Sequence, residues 1–212
     1  MFSVIFDMDG TLLDTQKISI PAWNYAGQIQ GFNNMGSPLK YVCGMNEVSC
    51  AKYIMANFKS IDILKFRDDV KKYVAENLVV RYKDGVKELL DFLIKNGIKI
   101  GLATGTARPI VLSHLEKVNA TGYFSAIVCG DEIENGKPAP DIFLKTANLL
   151  GENPQNCFVF EDSPNGIKAA DNAGMKCFGI PDTAEFDDEI RGLMFKELSS
   201  ADKAIEILKN YL

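Results

Sequence analysis

From Tyr82 onward the chain alternates short apolar runs with helical stretches, and this alternation restricts the possible fold more than any other feature. The runs IKIGLAT (98–104), AIVCG (126–130), CFVFED (157–162) and MKCFGI (175–180) each end near Gly, Thr or Asp. Between them lie the helical patterns GVKELLDFLIKN (85–96), RPIVLSHLEKVN (108–119), PDIFLKTANLLG (140–151) and SPNGIKAADNAG (163–174). A last helix is predicted in SADKAIEILKNYL (200–212), and SVIFD (3–7) supplies a strand at the start. Continuously apolar strands joined through helices form a parallel sheet buried on both faces. The expected class is therefore α/β.

Residues 16–80 break this rhythm. ISIPAWNYAGQIQ, EVSCAKYIMANF and IDILKFRDDVKKYVAENLV all have helical patterns, and GFNNMGSP (31–38) is a polar, Gly-rich loop among them. A helical domain inserted after the first strand is predicted, entered near Thr15 and left through Val80–Asp84. The expected division is an α/β core of residues 1–14 and 82–212 and a helical cap of residues 15–81.

The formal charge of −5 over 212 residues, with no basic stripe, argues against nucleic acid or an anionic membrane as partner. No apolar run approaches the ~20 residues of a membrane helix. The start MFSVIFDMDG lacks a basic leader pattern. Five scattered cysteines without CxxC spacing are expected to be reduced core thiols. These features predict a cytoplasmic protein, expected to be monomeric, acting on a small molecule.

In open parallel sheets, ligands sit beyond the carboxyl ends of the strands. Here those ends carry chemistry. The first leads into FDMDGT, with Asp7 and Asp9 one residue apart before a glycine turn. The second ends in Thr104-Gly105-Thr106, and the fourth in Glu161-Asp162-Ser163. NGKPAPD places Lys137 before Pro138, between the third and fourth strands. Clustered carboxylates repel one another unless a cation neutralises them. Oxygen ligands without His or Cys suit Mg²⁺. A Thr hydroxyl, the backbone N–H groups of a glycine turn and a Lys suit phosphate oxygens. One carboxylate can attack phosphorus, and a second can protonate the leaving group and then activate water.

These four motifs, in this order over about 160 residues, resemble those of the haloacid dehalogenase superfamily. DMDGT (7–11) is similar to the first, ATGT (103–106) to the second, Lys137 of GKPAPD to the third and EDS (161–163) to the fourth. The resemblance implies a Rossmann-like core and an Mg²⁺-dependent phosphotransferase mechanism. It makes Asp7 the nucleophile and a metal ligand. Asp9 becomes the general acid/base and lends its backbone carbonyl to the metal. Thr104 holds the phosphoryl group, and Lys137 binds phosphate and steadies Asp7. Asp162 ligates Mg²⁺ directly and Glu161 through water. The helical insert resembles the small cap of the subgroup that includes β-phosphoglucomutase, phosphoglycolate phosphatase and sugar-phosphate phosphatases.

Departures from the pattern guide the choice of activity. True dehalogenases lack an acid at the position of Asp9. A P-type ATPase would have a Lys–Thr-type sequence after the nucleophile and many membrane spans. Ser19 stands where β-phosphoglucomutase carries a His a few residues before its Trp, here Trp23. After Gly44, an Arg would grip the second phosphate of a bisphosphate, and Glu47 stands about there. A phosphonatase would need a Schiff-base Lys in the cap, and nothing marks Lys17, Lys40 or Lys52 for that role. The expected activity is a phosphomonoester hydrolase acting on a small metabolite, with sugar phosphates the leading class. The alternatives are a β-phosphoglucomutase-type phosphotransferase and a non-catalytic phosphate-binding module.

Other residues have plainer roles to weigh. Gly105 and Arg108 are candidates for phosphate or substrate binding. Trp23, Tyr25 and Met45 are expected to pack the cap, with Trp23 able to face the cleft. Asn46 and Glu47 are candidates for substrate contact. Asp14 is expected to cap the first inserted helix or to sit in a turn, and Ser163 to cap the helix after the fourth strand. His114 is expected on the surface or in the core.

Overall fold

The computed structural model describes residues 2–42 and 45–212. In chain order its elements are β1 (Ser3–Phe6), α1 (Ser19–Ile29), α2 (Leu39–Val42), α3 (Glu47–Asn57), α4 (Ile63–Asn77), α5 (Val86–Lys95), β2 (Ile100–Thr104), α6 (Arg108–Lys117), β3 (Ala126–Cys129), α7 (Asp141–Leu150), β4 (Cys157–Glu161), α8 (Pro164–Asn172), β5 (Lys176–Gly179), α9 (Asp188–Leu193), β6 (Lys196–Glu197) and α10 (Ala204–Leu208). Cys43 and Gly44 lie outside the described residues, so the expectation placed on Gly44 is not addressed by the structure.

All six strands pair in parallel in the order β3-β2-β1-β4-β5-β6, the Rossmann-like α/β arrangement. Alternation along β1 divides the core between the two faces of the sheet. Val4 and Phe6 join Leu89 and Leu93 of α5, Val111 of α6 and Leu208 of α10. Ile5 joins Phe143 of α7, Ile167 of α8 and Ile190 of α9 on the other face. Phe6 lies opposite Leu102 on one side and Phe160 on the other. That register brings the carboxyl ends of β1, β2 and β4 together, and the strand order reverses between β1 and β4.

Helices α1 to α4 enclose an apolar cluster of their own. Trp23 meets Phe66 edge-on, with ring centroids 5.5 Å apart, and Ala26, Met35 and Ile54 complete the cluster. The two connections to the rest of the chain pair with each other. Asp14 N–H donates to the Arg81 carbonyl at 2.9 Å, and Lys83 N–H to that of Leu12 at 3.1 Å. Leu13 and Tyr82 form an antiparallel bridge.

Three expectations need correction and a fourth is narrowed. β6 has two residues and α9 six, both too short to stand out in the sequence. The stretch 200–212 is a 3-10 turn, the five-residue α10 and a second 3-10 turn, instead of one helix. α2 forms at the end of the 31–38 loop, where no helix was expected. Of the two roles expected of Asp14 the structure gives the turn: it sits in a bend and does not cap α1, whose N-cap is Ile18. It receives two bonds from the Arg81 guanidinium, at 2.6 and 3.0 Å.

Candidate active site

β1 ends at Phe6, and the chain turns back at once: the Leu12 and Leu13 N–H groups both donate to the Met8 carbonyl. Gly10 makes this turn with φ +90, and a Cβ there would lie 2.3 Å from Asp162 Oδ2. Glycine is required both for the conformation and for the space. The turn holds Asp7 and Asp9 beyond the sheet and brings Thr11 to donate to Asp162 Oδ1 at 2.9 Å.

Asp7 is buried, and Lys137 Nζ donates to its Oδ1 at 2.5 Å. The same ammonium donates to Glu161 Oε1 at 2.5 Å and to the Ala103 carbonyl at 3.3 Å. Glu161 is fully buried. Its Oε2 accepts from Asp162 N–H, Ser163 N–H and Ser163 Oγ, each at 2.9 Å. Ser163 Oγ in turn accepts from Gly166 N–H at 3.0 Å, which caps α8 as expected. Glu161 is thus fastened between Lys137 and the start of α8.

Asp9 is only half-buried, and three hydroxyls point at its carboxylate. Thr15 Oγ1 donates to Oδ1 at 2.5 Å. Thr106 Oγ1 donates to Oδ2 at 2.6 Å and Thr104 Oγ1 at 3.4 Å. Thr15 belongs to the connection between β1 and α1, so the bond ties Asp9 to the chain's entry into the helical insert.

In this cluster four carboxylates face one ammonium. Burial pushes the Asp7 carboxyl up to about 8; the Lys137 ammonium opposes this, and the charges of Glu161 and Asp9 add to it. Asp162 is also pushed well above its ordinary value, by burial and then by Glu161 and Asp7. Burial works against the Lys137 ammonium, but Asp7 and Glu161 outweigh it and hold its pKa above the ordinary value. Asp7, Glu161 and Asp162 each offer an oxygen within 4.8 Å of the others. Hard oxygen donors with excess negative charge and raised carboxyl pKa values fit a divalent cation such as Mg²⁺.

A cavity of about 700 Å³ opens from this cluster toward the inserted helices. Asp7, Asp9, Thr104, Gly105 and Asp162 form its floor, and Trp23 and Glu47 line the opposite side. Lys137 and Glu161 lie behind the floor, reached through Asp7 and Asp162.

Two further candidates are not brought to the cavity. Arg108 is turned toward β3: its guanidinium pairs with Glu132 and donates to the Ile127 carbonyl at 2.7 Å. Asn46 caps α3 by accepting from Ser49 N–H at 3.0 Å and packs on Gly136, where a Cβ would lie 2.8 Å from its side chain. Glu47 reaches the cavity but is paired with Arg67 and Lys71. Sequence reasoning passed over Thr11, Thr15 and Thr106 as individual site residues. The only available signal was their place within or beside the DMDGT and ATGT motifs. His114 lines the cavity although it is only 8 % exposed. Burial holds its imidazole below the ordinary value; Asp9 opposes this and Lys117 adds to it.

The haloacid dehalogenase-like hydrolase model matches residues 4–180. A phosphorylated carbohydrates phosphatase of Thermotoga maritima is 32% identical over 187 residues, covering 85% of each chain. A β-phosphoglucomutase of Bacillus subtilis is 32% identical over 195 residues, covering 85% of this chain and 83% of its own. The crystal structure of a β-phosphoglucomutase from Clostridium difficile has the same fold, with a TM-score of 0.82 at 24% identity over 99% of this chain and 96% of its own. The chain belongs to the haloacid dehalogenase-like hydrolases and is an enzyme. Among the described residues no helix is long and apolar enough to cross a membrane.

Proposed function

We propose that the protein is an Mg²⁺-dependent phosphomonoester hydrolase that works through an aspartyl phosphate on Asp7. The observation that carries this is the placement of Asp7: buried, bonded to Lys137, beside Asp162, and open to a cavity that also contains the threonine-held Asp9. Residues 15–81 act as the cap over that cavity. The relatives' names include a phosphatase of phosphorylated carbohydrates, which makes sugar phosphates the first class to test.

The Asp7 and Asp162 carboxylates and the Asp9 carbonyl would hold Mg²⁺. When bound, the ion neutralises the carboxylates and the phosphoryl oxygens. Glu161 contributes by fixing Lys137 and the start of α8; its bonds to both favour this role over that of a ligand through water. Asp7 attacks phosphorus and the ester P–O bond breaks, while protonated Asp9 gives its proton to the departing alkoxide. Asp9 then takes a proton from a water, which attacks the phosphoryl group, frees Asp7 and releases phosphate. Thr104 and the backbone around Gly105 bind phosphoryl oxygens, and Lys137 offsets charge from behind Asp7. The cap excludes stray water from the intermediate.

The test is hydrolysis of an aryl phosphate and a panel of sugar phosphates with Mg²⁺ and with EDTA. Phosphate release that needs the metal is expected. Conversion of β-glucose 1-phosphate to an isomer with trace bisphosphate, without net phosphate release, would point to a phosphotransferase. No activity on any phosphate would favour a binding module.

A further inference from the structure

The wall of the cavity opposite the phosphate floor is mostly apolar. Trp23, Val42, Val70, Val74 and Leu78 line it from the cap, and Ile110 faces them from α6. Val70, Val74 and Leu78 are half-buried, so apolar surface there is still open to water and is removed from it when a ligand enters. Two charged groups lie on the cap side, Glu47 and Lys71; they pair with each other at 3.6 Å, and Glu47 also pairs with Arg67. A polyhydroxylated body placed against the apolar wall would lose hydrogen bonds to water there and could regain them only toward the polar residues Ser19, Lys71, Ser113 and Lys117 around it.

One buried polar group on the cavity has unused capacity. His114 is the chain's single histidine, and its Nδ1 is buried with no hydrogen-bond partner among the described residues. A buried nitrogen left without a partner is costly unless something else supplies one. Lys117, one turn of α6 further on, also lines the cavity and is exposed at its edge.

We propose that the cavity selects phosphate esters whose alcohol carries an apolar ring and few hydroxyls, and that His114, whose unpartnered Nδ1 is sealed from the cavity until its side chain turns, makes the polar contact to that ring. This rests on the phosphatase reading and narrows its substrate class away from simple hexose phosphates.

The experiment uses Trp23, the only tryptophan and itself part of the wall, as a fluorescence reporter. The full chain in Mg²⁺ is titrated with two non-hydrolysable phosphonates of similar length, one ending in a phenyl ring and one a polyhydroxyalkyl chain. The phenyl ligand is expected to bind at least about tenfold more tightly, a difference of about 1.4 kcal/mol. Val74→Asp, with its fold checked by thermal melting, is expected to erase that preference. A single ring hydroxyl is expected to add affinity in the parent and none in His114→Phe. Equal binding of the two phosphonates, preference for the polyol, or no binding of either overturns the proposal. Asp7-dependent hydrolysis of acetyl phosphate, run in parallel, reports on the phosphatase reading alone, because its acyl group is too small to reach the apolar wall.

Discussion

Thr15 Oγ1 lies 2.5 Å from Asp9 Oδ1, so the residue that leads into the cap also holds the proposed acid/base. Any movement of the cap that shifts Thr15 changes the setting of Asp9. Thr15→Val keeps the shape and removes the donor. A hydrogen bond to a charged group is worth about 1.5–3 kcal/mol. The expected result is a fall in kcat of roughly tenfold or more with KM little changed, measured on an aryl phosphate.

Lys137 joins two buried carboxylates, Asp7 and Glu161, with both bonds at 2.5 Å. Lys137→Met leaves both without their cation. Breaking a buried ion pair by removing one partner costs about 3–5 kcal/mol. Urea unfolding is expected to show a loss of that order, accompanied by loss of turnover. A variant as stable as the parent would mean that the ammonium is not needed to bury the acids.

The raised Asp7 pKa makes a signed prediction about pH. Its carboxyl ionises near its ordinary value of 3.8 when unfolded and at about 8 when folded without metal. The folded state therefore holds the proton more tightly. That stability is fully present below pH 3.8 and is lost as pH rises through about 8. Asp162 acts in the same direction, and the depressed His114 pKa acts oppositely. In EDTA the parent is expected to lose more stability between pH 5.5 and 8.5 than Asp7→Asn does. Saturating Mg²⁺ is expected to shrink that difference, as read from urea melts.

Much of this was legible in the sequence because it went against local rules. Asp7 and Asp162 stand directly after apolar strands, where burial disfavours charge, and Lys137 sits before a proline in a polar loop. Such placements need a chemical reason, and the order of the strands brings them together. The five longer strands were visible because both faces are buried and the runs are continuously apolar. The bonds of Thr15 and Thr106 to Asp9 could not be read, because short hydroxyl side chains carry no periodic signal and one pair spans 97 positions. Arg108 misled for a related reason. Its place after ATGT suggests phosphate, but only the fold shows Glu132 and the Ile127 carbonyl on its other side.

That placement makes Arg108 a discriminating control. Arg108→Ala is expected to leave kcat/KM within about twofold and to lower stability by about 1 kcal/mol, the scale of a lost partly exposed pair and one hydrogen bond. A selective rise in KM would return Arg108 to the substrate.

Gly166 tests the seat of Glu161. A Cβ at Gly166 would lie 1.7 Å from Glu161 Oε1, so the carboxylate would have to leave its place. Gly166→Ala is expected to destabilise by about 1–3 kcal/mol, the usual scale of overpacking. It is also expected to lower activity through Lys137. Normal activity in a less stable variant would separate Glu161 from the chemistry.

The most direct test of the whole account is Mg²⁺-dependent hydrolysis of an aryl phosphate by the parent and by Asp7→Asn. A loss of at least about a thousandfold in kcat, about 4 kcal/mol of barrier, is expected in a variant that still folds. Turnover by Asp7→Asn within tenfold of the parent, or parent turnover unaffected by EDTA, would contradict it.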